Sequence, residues 1–428
     1  MLENAQKKLQ NVYIARDLTQ MLHKIPRNFS RAMTMQEERV RRLMRVAWKI
    51  PFYRERFGKA GLTPDDIRCG DDLTKLPVLT KDELRAWMAE EVKKDKYRDW
   101  IVDTTSGSTG KPVSILFSPR EKACMKANWY RVMLCAGYDP VRGKTMSRIN
   151  AHDEHAGGKD TFLQDFGILR HRFVDQYAPE QEVIDAINAW QPDWLYMNKT
   201  ELMRLVVYAR SHGVKIWNPP FYDPISEKIS DNDRRLFTEV LGPNLIDSYG
   251  SAETGACMLR LPGMNYYAVH NDSFVVNVVN DDGRLAREGR IVITPLYKTD
   301  LPLINYEVGD RARMRTNQGV HFITDVQGRM NDYFRYEDGR VTSFFEVTPV
   351  IAHCQDLEQI RFIQKSYELI HVQAVRDPAA GRSREELETY VSEGLNKIFK
   401  KPFRFEFEWM DVIPPDANGK LRMIVCEV

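Results

Sequence analysis

Between about residues 100 and 250, short apolar runs alternate with segments of helical period. IVDT (101–104) leads into a hydroxyl- and glycine-rich loop, and VSILF (113–117) follows as a strand. A helix is expected from Glu121 to about Cys135. DWLYM (193–197) reads as a short buried strand before the helix KTELMRLVVYARSHG, which Gly213 closes. NLIDSYG (244–250) reads as a further strand entering another loop. Alternation of this kind implies an α/β fold with a largely parallel sheet.

The flanking segments frame that core. Residues 1–100 are mainly helical and basic. Thr34 and Glu37 form a capping-box pattern. Val40, Leu43, Met44, Ala47 and Trp48 then recur on one helical face, with Arg41, Arg42, Arg45 and Lys49 on the others as a solvated surface or, alternatively, an anion-binding one. Thr80 and Glu83 repeat the capping box before DELRAWMAEEV. From about residue 268, FVVNVVN, the turn DDG, RIVITPL and VHFITDV outline an antiparallel, strand-rich subdomain. After Asp332, EVTPVIAHC reads as helical, LEQIRFIQKS and ELIHVQAV as paired strands, REELETYVSEGLNKIFKK as a helix and RFEFEWM as a strand. The expected organisation is a large N-terminal α/β domain over 1–330, with 1–100 as a helical lead-in, and a small α+β domain over 331–428.

Charge and cysteines narrow the function classes. The 62 basic and 60 acidic residues leave a formal net charge of +2, which argues against a general nucleic-acid binder. The six cysteines form no CxxC pair and no zinc spacing, so reduced thiols in a cytoplasmic protein are expected. The N-terminus opens no apolar run and no stretch is long enough to span a bilayer, so neither signal peptide nor membrane span is expected.

The loop TTSGSTGKP (104–112) carries the strongest chemical signal. Its glycines lie three apart and Pro112 follows the lysine, so the Walker spacing fails. The dinucleotide pattern GxGxxG and the hydrolase elbow GxSxG fail too. Phosphate-binding chemistry is nonetheless present, because glycines let backbone N–H groups approach an anion while hydroxyls and Lys111 add donors and charge. A plain surface loop is the alternative for this stretch alone. Four later segments accompany it: DSYGSAETG (247–255), NYEVGD (305–310), where a Gly-Asp pair follows a strand, QGRMND (327–332) and PPDANGKLR (414–422).

In order and spacing these segments resemble the adenylate-forming superfamily of acyl-CoA synthetases, luciferases and adenylation domains. The stretch PFYRERF…AGLTPDDI…DDLTKLPVLTKDELR (51–85) and LPLINYEVGD resemble its phenylacetate–CoA ligase-like branch, which includes capsule-biosynthesis and coenzyme-F-synthetase-like members. The resemblance spans roughly residues 45–425. It implies a reaction in two steps: a carboxylate attacks the α-phosphate of ATP, and a thiol or amine then displaces AMP. It further implies that Thr105, Ser106, Gly107, Ser108, Thr109, Gly110 and Lys111 cradle the β,γ-phosphates. Asp247, Ser248, Tyr249 and Gly250 would line the nucleotide, with Tyr249 placed to stack on adenine. Glu253 would bind Mg²⁺, Asp310 would accept the ribose hydroxyls, and Arg329 would join it at the ribose or phosphate. Lys420 would serve the adenylation step, and the small domain would rotate about a hinge at Asn331 and Asp332. Members of the branch often dimerise.

Some positions depart from the family pattern. Ala252 replaces the usual hydroxyl residue before the metal glutamate, with Ser251 or Thr254 as substitutes. FRYEDGRVTS stands where many ligases carry an RG or KG pair that helps bind CoA. CoA, a carrier-protein thiol and an amine therefore all remain as acceptors. INAHDEHAGG (149–158) places Asn150, His152 and His155 in a possible pocket for a polar acid, or in a loop turned away from it. Cys257 and His270 are either metal ligands or buried packing. The expected function is ATP- and Mg²⁺-dependent activation of a small carboxylic acid and transfer to a thiol, as an aryl or acyl acid–CoA ligase. The alternatives are an adenylation enzyme that serves a carrier protein or amine, and a degenerate nucleotide-binding scaffold.

Overall fold

The computed structural model describes residues 29–105, 113–149, 166–175, 178–225, 228–317, 320–329, 333–337, 341–343, 356–378, 380–399, 401–414 and 422–428, together with Arg16, Gln164, Val347, Val350 and Cys354. The chain divides into two units. One takes residues 1–226 and 240–326, the other 227–239 and 327–428.

In the first unit, helix α1 (Phe29–Ala47) buries Val40, Leu43, Met44 and Ala47, the stripe that the heptad-like spacing marks. The capping box expected at Thr34 and Glu37 is not a helix start. Thr34 lies within α1, and its hydroxyl donates to the Ser30 carbonyl at 3.1 Å, one turn back. That back-bonding is the other use a helix makes of threonine. Helix α2 (Pro51–Lys59) follows. Helix α3 (Lys81–Glu91) does begin at Thr80, with both capping-box bonds to Glu83 made.

Strands β1 (Ile101–Thr105) and β2 (Val113–Phe117) pair antiparallel with each other, Thr105 opposite Val113. The seven residues between them, 106–112, are too few for a parallel crossover, which needs a dozen or more. Helix α4 (Pro119–Ala136) then starts at a Ser118–Glu121 capping box and ends at Gly137, whose φ of 98° is the left-handed cap glycine supplies readily.

The parallel core is a four-stranded sheet of β3 (Lys144–Ile149), β4 (Arg170–Asp175), β5 (Trp194–Asn198) and β6 (Phe221–Ile225) in the order β4-β3-β5-β6. Helix α5 (Glu180–Trp190) connects β4 to β5, and α6 (Lys199–His212) connects β5 to β6. Gly213 caps α6 in the left-handed conformation, as the sequence indicates. Helix α7 (Asp231–Leu241) clusters with the second unit through Glu239, and its Asn232 amide donates to the Cys354 carbonyl.

The stretch NLIDSYG behaves differently from a core strand. Only Leu245 bridges in parallel to Tyr222 of β6. The chain then turns into β7 (Asp247–Ser251), which forms an antiparallel sheet with β8 (Gly255–Arg260) and β9 (Ala268–Val269). The strand-rich subdomain is the antiparallel sheet β10 (Phe274–Val279), β11 (Glu288–Pro295), β12 (Tyr306–Asn317) and β13 (Val320–Arg329), in that order.

The second unit holds the hairpin β14 (Tyr333–Arg335) and β15 (Val341–Ser343). Its mixed sheet runs β18-β17-β16-β19, from β16 (Leu357–Gln364), β17 (Leu369–Arg376), β18 (Arg404–Trp409) and β19 (Ile424–Cys426). Helix α8 (Arg384–Ile398) buries Leu387, Val391 and Leu395 in a core that includes Phe334, Phe362, Phe399 and Phe403. EVTPVIAHC lies mostly outside the described residues. No described helix is long and apolar enough to cross a membrane.

Candidate active site

The β1–β2 hairpin presents the hydroxyl-glycine loop. Its return arm is braced by a buried ion pair. Lys298 donates to the Leu116 carbonyl at 2.6 Å and to Glu121 Oε2 at 3.2 Å. Both side chains are almost wholly buried. Glu121 Oε1 also accepts the backbone N–H groups of Asp300 (2.8 Å) and Leu301 (3.1 Å). Burial lowers the Lys298 pKa, with Glu121 pulling the other way. The ammonium lies 4.4 Å from the centre of the Phe117 ring. On β1, Asp103 pairs with Lys122 of α4. Ser106, Gly107, Ser108, Thr109, Gly110 and Lys111 lie outside the described residues, and Thr105 is placed only as the last backbone position of β1.

The β7–β8 hairpin carries Glu253 at its tip. Its strands approach so closely at Gly250 that a Cβ there would lie 2.3 Å from the Gly255 carbonyl oxygen. Ser251 and Thr254 hydroxyls meet at 3.1 Å and close the turn. Thr254 is fully buried, so it is committed to the turn and not to a ligand. Glu253 is 6% exposed, and the Tyr306 hydroxyl donates to its Oε1 at 3.0 Å.

One step back along β7, the Tyr249 hydroxyl donates to Asp310 Oδ2 at 2.6 Å. Asp310 does not follow a strand as a turn residue, as the Gly-Asp pair suggests. It lies inside β12, where Val308–Asp310 face the single residue Ile291 of β11. Gly309, at φ 90°, absorbs that irregularity. Bulges of this kind re-aim a side chain next to a site. Two tyrosine–carboxylate bonds thus tie the β7–β8 hairpin to β12, Tyr249 to Asp310 and Tyr306 to Glu253.

The other predicted residues of β7 have their own partners. Asp247 is buried, pairs with Arg260 and accepts from the Tyr267 hydroxyl at 2.8 Å. Ser248 donates its hydroxyl to Asp223 Oδ2 at 2.7 Å and its backbone N–H to Oδ1 at 3.3 Å. Asp223 is fully buried on β6. Burial, reinforced by the Asp247 charge and opposed by the Ser248 bonds, pushes its pKa up to about 7.

Cys257 is buried, and its thiol donates to the Tyr249 carbonyl at 3.5 Å. His270 is buried too, and desolvation with the nearby Arg131 charge holds it well below its ordinary pKa. No cluster of three or more His, Cys, Asp or Glu side chains suited to a metal occurs among the described residues. Arg329 is the last backbone position of β13. Asn150, His152, His155, Asn331, Asp332 and Lys420 lie outside the described residues.

Sequence reasoning missed three groups. Tyr306 sits within NYEVGD but was not singled out there. Asp223, in the middle of the strand FYDPI, was detectable as a carboxylate in an apolar run. The Glu121–Lys298 pair joins positions far apart in sequence, with no local signal. The residues described here suit one arrangement well: a buried single carboxylate (Glu253) for a hard cation shared with phosphate oxygens, and a second carboxylate (Asp310) with acceptor capacity for a diol.

The chain is similar to several known proteins. Residues 335–427 match the family model of the CapK C-terminal domain. The chain is 24% identical over 334 residues to a phenylacetate-coenzyme A ligase of Pseudomonas putida, spanning 69% of this chain and 70% of that one. It is 23% identical over 395 residues to Protein CapK of Staphylococcus aureus, spanning 87% and 84%. A solved 2-hydroxyisobutyryl-CoA ligase in complex with R3-HIB-AMP superposes with a TM-score of 0.74 at 18% identity, over 93% of this chain and 90% of that one. An anthranilate CoA ligase in complex with anthranoyl-AMP superposes with a TM-score of 0.54 at 14% identity, over 76% and 66%. The α/β fold class expected from the sequence, with a strand-rich subdomain and an α+β C-terminal part, is the fold observed.

Proposed function

We propose that this chain, a relative of the phenylacetate–CoA ligases and of CapK among the adenylate-forming enzymes, activates a small carboxylic acid with ATP and transfers the acyl group to a thiol. The observation that carries this reading is the double tie between the β7–β8 hairpin and β12, which holds Glu253 and Asp310 in fixed relation. In the first step a carboxylate oxygen bonds to the α-phosphorus and the bond to pyrophosphate breaks. Residues 105–111 would hold the departing pyrophosphate through backbone and hydroxyl donors. Glu253 would hold Mg²⁺, which supplies charge neutralisation at the phosphates. Asp310 would bind the ribose hydroxyls, Arg329 would join it at the ribose or phosphate, and Tyr249 would stack on the adenine. Lys420 bridges the α-phosphate and the attacking carboxylate. The small domain, turning about Asn331–Asp332, withdraws that lysine before transfer.

CoA is the acceptor that the ligase relatives favour. A carrier-protein thiol or an amine is the second reading, favoured by FRYEDGRVTS standing where many ligases carry an RG or KG pair. Pyrophosphate exchange with phenylacetate, 2-hydroxyisobutyrate, anthranilate and related acids tests the first step. Acid-independent behaviour throughout the panel would leave only a scaffold role. AMP release from the adenylated acid with CoA, but without a CoA thioester, would turn the reading to the second acceptor class. Lys420→Ala should lower exchange by orders of magnitude and leave transfer from a preformed adenylate intact.

A further inference from the structure

Glu253 is the middle residue of the turn between β7 and β8, because Ser251 and Gly255 on either side of residues 252–254 already face each other as partners. The Tyr306 hydroxyl holds its side chain. A second tyrosine holds its backbone from another direction. The Tyr297 hydroxyl donates to the carbonyl of Thr254, the next residue, at 2.9 Å. The Thr254 N–H donates back to the Ser251 carbonyl at 3.2 Å, so both polar groups of that residue's backbone are engaged. Tyr297 lies just beyond β11 and is buried. Its ring meets Phe274 of β10 edge-on, with centroids 5.7 Å apart, which fixes where its hydroxyl points. The turn packs tightly around that hydroxyl: a Cβ on Gly255 would lie 3.6 Å from it and 2.6 Å from Met125 Cγ.

A carboxylate on a short turn needs such a second hold for a physical reason. The bond to Tyr306 fixes one oxygen, but the peptide that follows Glu253 can still rotate and carry the side chain with it. Pinning the Thr254 carbonyl stops that rotation. Thr254 is fully buried, so without the tyrosine donor its carbonyl has no water to turn to, and the turn must shift to satisfy it. Mg²⁺ accepts little error in where its ligands stand, since it demands near-octahedral geometry. We propose that Tyr297 is a positioning residue for the cation: by holding the Thr254 carbonyl it fixes the turn from which Glu253 reaches Mg²⁺. The proposal rests on the role assigned to Glu253 above.

The test uses the full chain with Tyr297→Phe, Glu253→Gln and the double variant Tyr297→Phe/Glu253→Gln. Phenylalanine keeps the ring against Phe274 and deletes only the hydroxyl. Binding comes first, since it needs no acid. Mn²⁺ is the probe for the cation, titrated into the chain with saturating α,β-methylene-ATP, and electron paramagnetic resonance of the ternary complex reads its affinity. Partners that orient a metal ligand are worth about 10- to 100-fold in metal affinity. Tyr297 acts one residue away from the ligand, so the Mn²⁺ Kd should rise by about 10-fold, the lower end of that range. Glu253→Gln should raise it at least as far. The double variant should bind no more weakly than Glu253→Gln alone, because Tyr297 acts through that carboxylate. Pyrophosphate exchange follows, with whichever acid of the panel supports it. Half-saturating Mg²⁺ should rise by the same factor in Tyr297→Phe, the KM for the acid should hold, and saturating Mg²⁺ should restore the rate.

Unchanged Mn²⁺ affinity in Tyr297→Phe beside a weakened Glu253→Gln refutes the positioning role and leaves the proposed function standing. Unchanged affinity in Glu253→Gln refutes the metal role on which the proposal rests. A double variant weaker than Glu253→Gln by the whole Tyr297 factor shows that the tyrosine acts elsewhere, and overturns the proposal. Lost exchange in Tyr297→Phe that saturating Mg²⁺ does not restore would mark a general folding defect and also overturn it.

Discussion

Replacing Lys298 by methionine isolates the brace of the β1–β2 hairpin. The substitution keeps the aliphatic stem against Phe117 and deletes the ammonium. It removes the bond to the Leu116 carbonyl and strips Glu121 of its countercharge. Breaking one partner out of a buried pair costs about 3–5 kcal/mol, because the remaining charge stays buried. Glu121 keeps the backbone donors of Ser118, Asp300 and Leu301, which argues for the lower part of that range, about 3–4 kcal/mol. At roughly 2 °C per kcal/mol for a unit of this size, the melting midpoint should drop by about 6–8 °C. Below that midpoint the KM for ATP should rise, since β2 is the return arm of the loop. Adding Glu121→Gln removes the stranded charge and should recover about half of the lost stability. Differential scanning calorimetry with exchange kinetics reads both effects. A single variant within about 1 kcal/mol of wild type, or a double variant worse than the single, would refute the role of the pair.

Asp223 gives a pH signature. Its folded pKa, about 7, lies above the ordinary 3.8, so the folded state binds the extra proton. The contribution is full below pH about 4 and is lost as pH rises through about 7, worth up to roughly 4 kcal/mol. Asp223→Asn should therefore gain on wild type between pH 5 and pH 8 in denaturant midpoints, and a pH-independent difference would reject the shift. Tyr306→Phe removes the hydroxyl bonded to Glu253. It should raise the Mg²⁺ concentration for half-maximal exchange about 10-fold, the lower end expected for a residue that orients a metal ligand. An unchanged Mg²⁺ profile in both Tyr306→Phe and Glu253→Gln would remove Glu253 from the metal. Gly250→Ala places a methyl against the Gly255 carbonyl and should cost at least about 1–3 kcal/mol by calorimetry.

What the sequence made legible was mostly local. Thr80–Glu83 and Thr34–Glu37 are the same pattern, yet only the first begins a helix. The pattern is degenerate because helical threonine has a second use, back-bonding to the preceding turn. Strands β1 and β2 were legible as strands, but their partner was not written in their apolar pattern. The short loop between them decides it. Glu253, Tyr249 and Asp310 were marked by the resemblance to the adenylate-forming family. The surroundings that define them come from positions 53 and 61 residues away along the chain.

The two tyrosine–carboxylate bonds obey one register. Tyr249 and Glu253 are four residues apart on the hairpin, and Tyr306 and Asp310 are four apart on β12. Tyr249 meets Asp310 and Glu253 meets Tyr306, so the segments run antiparallel, each contributing one tyrosine and one carboxylate. Backbone pairing alone does not produce this, because β7 and β12 belong to different sheets. Side chains make the junction, and each bond joins a tyrosine hydroxyl to a carboxylate. Hydrogen bonds to charged groups are the stronger kind, about 1.5–3 kcal/mol each, so the two bonds hold the hairpin to β12 by side chains. The bulge at Gly309 then follows as a requirement: a regular β12 would carry Asp310 to a different register against β11, and the Tyr249 hydroxyl would have no carboxylate to meet.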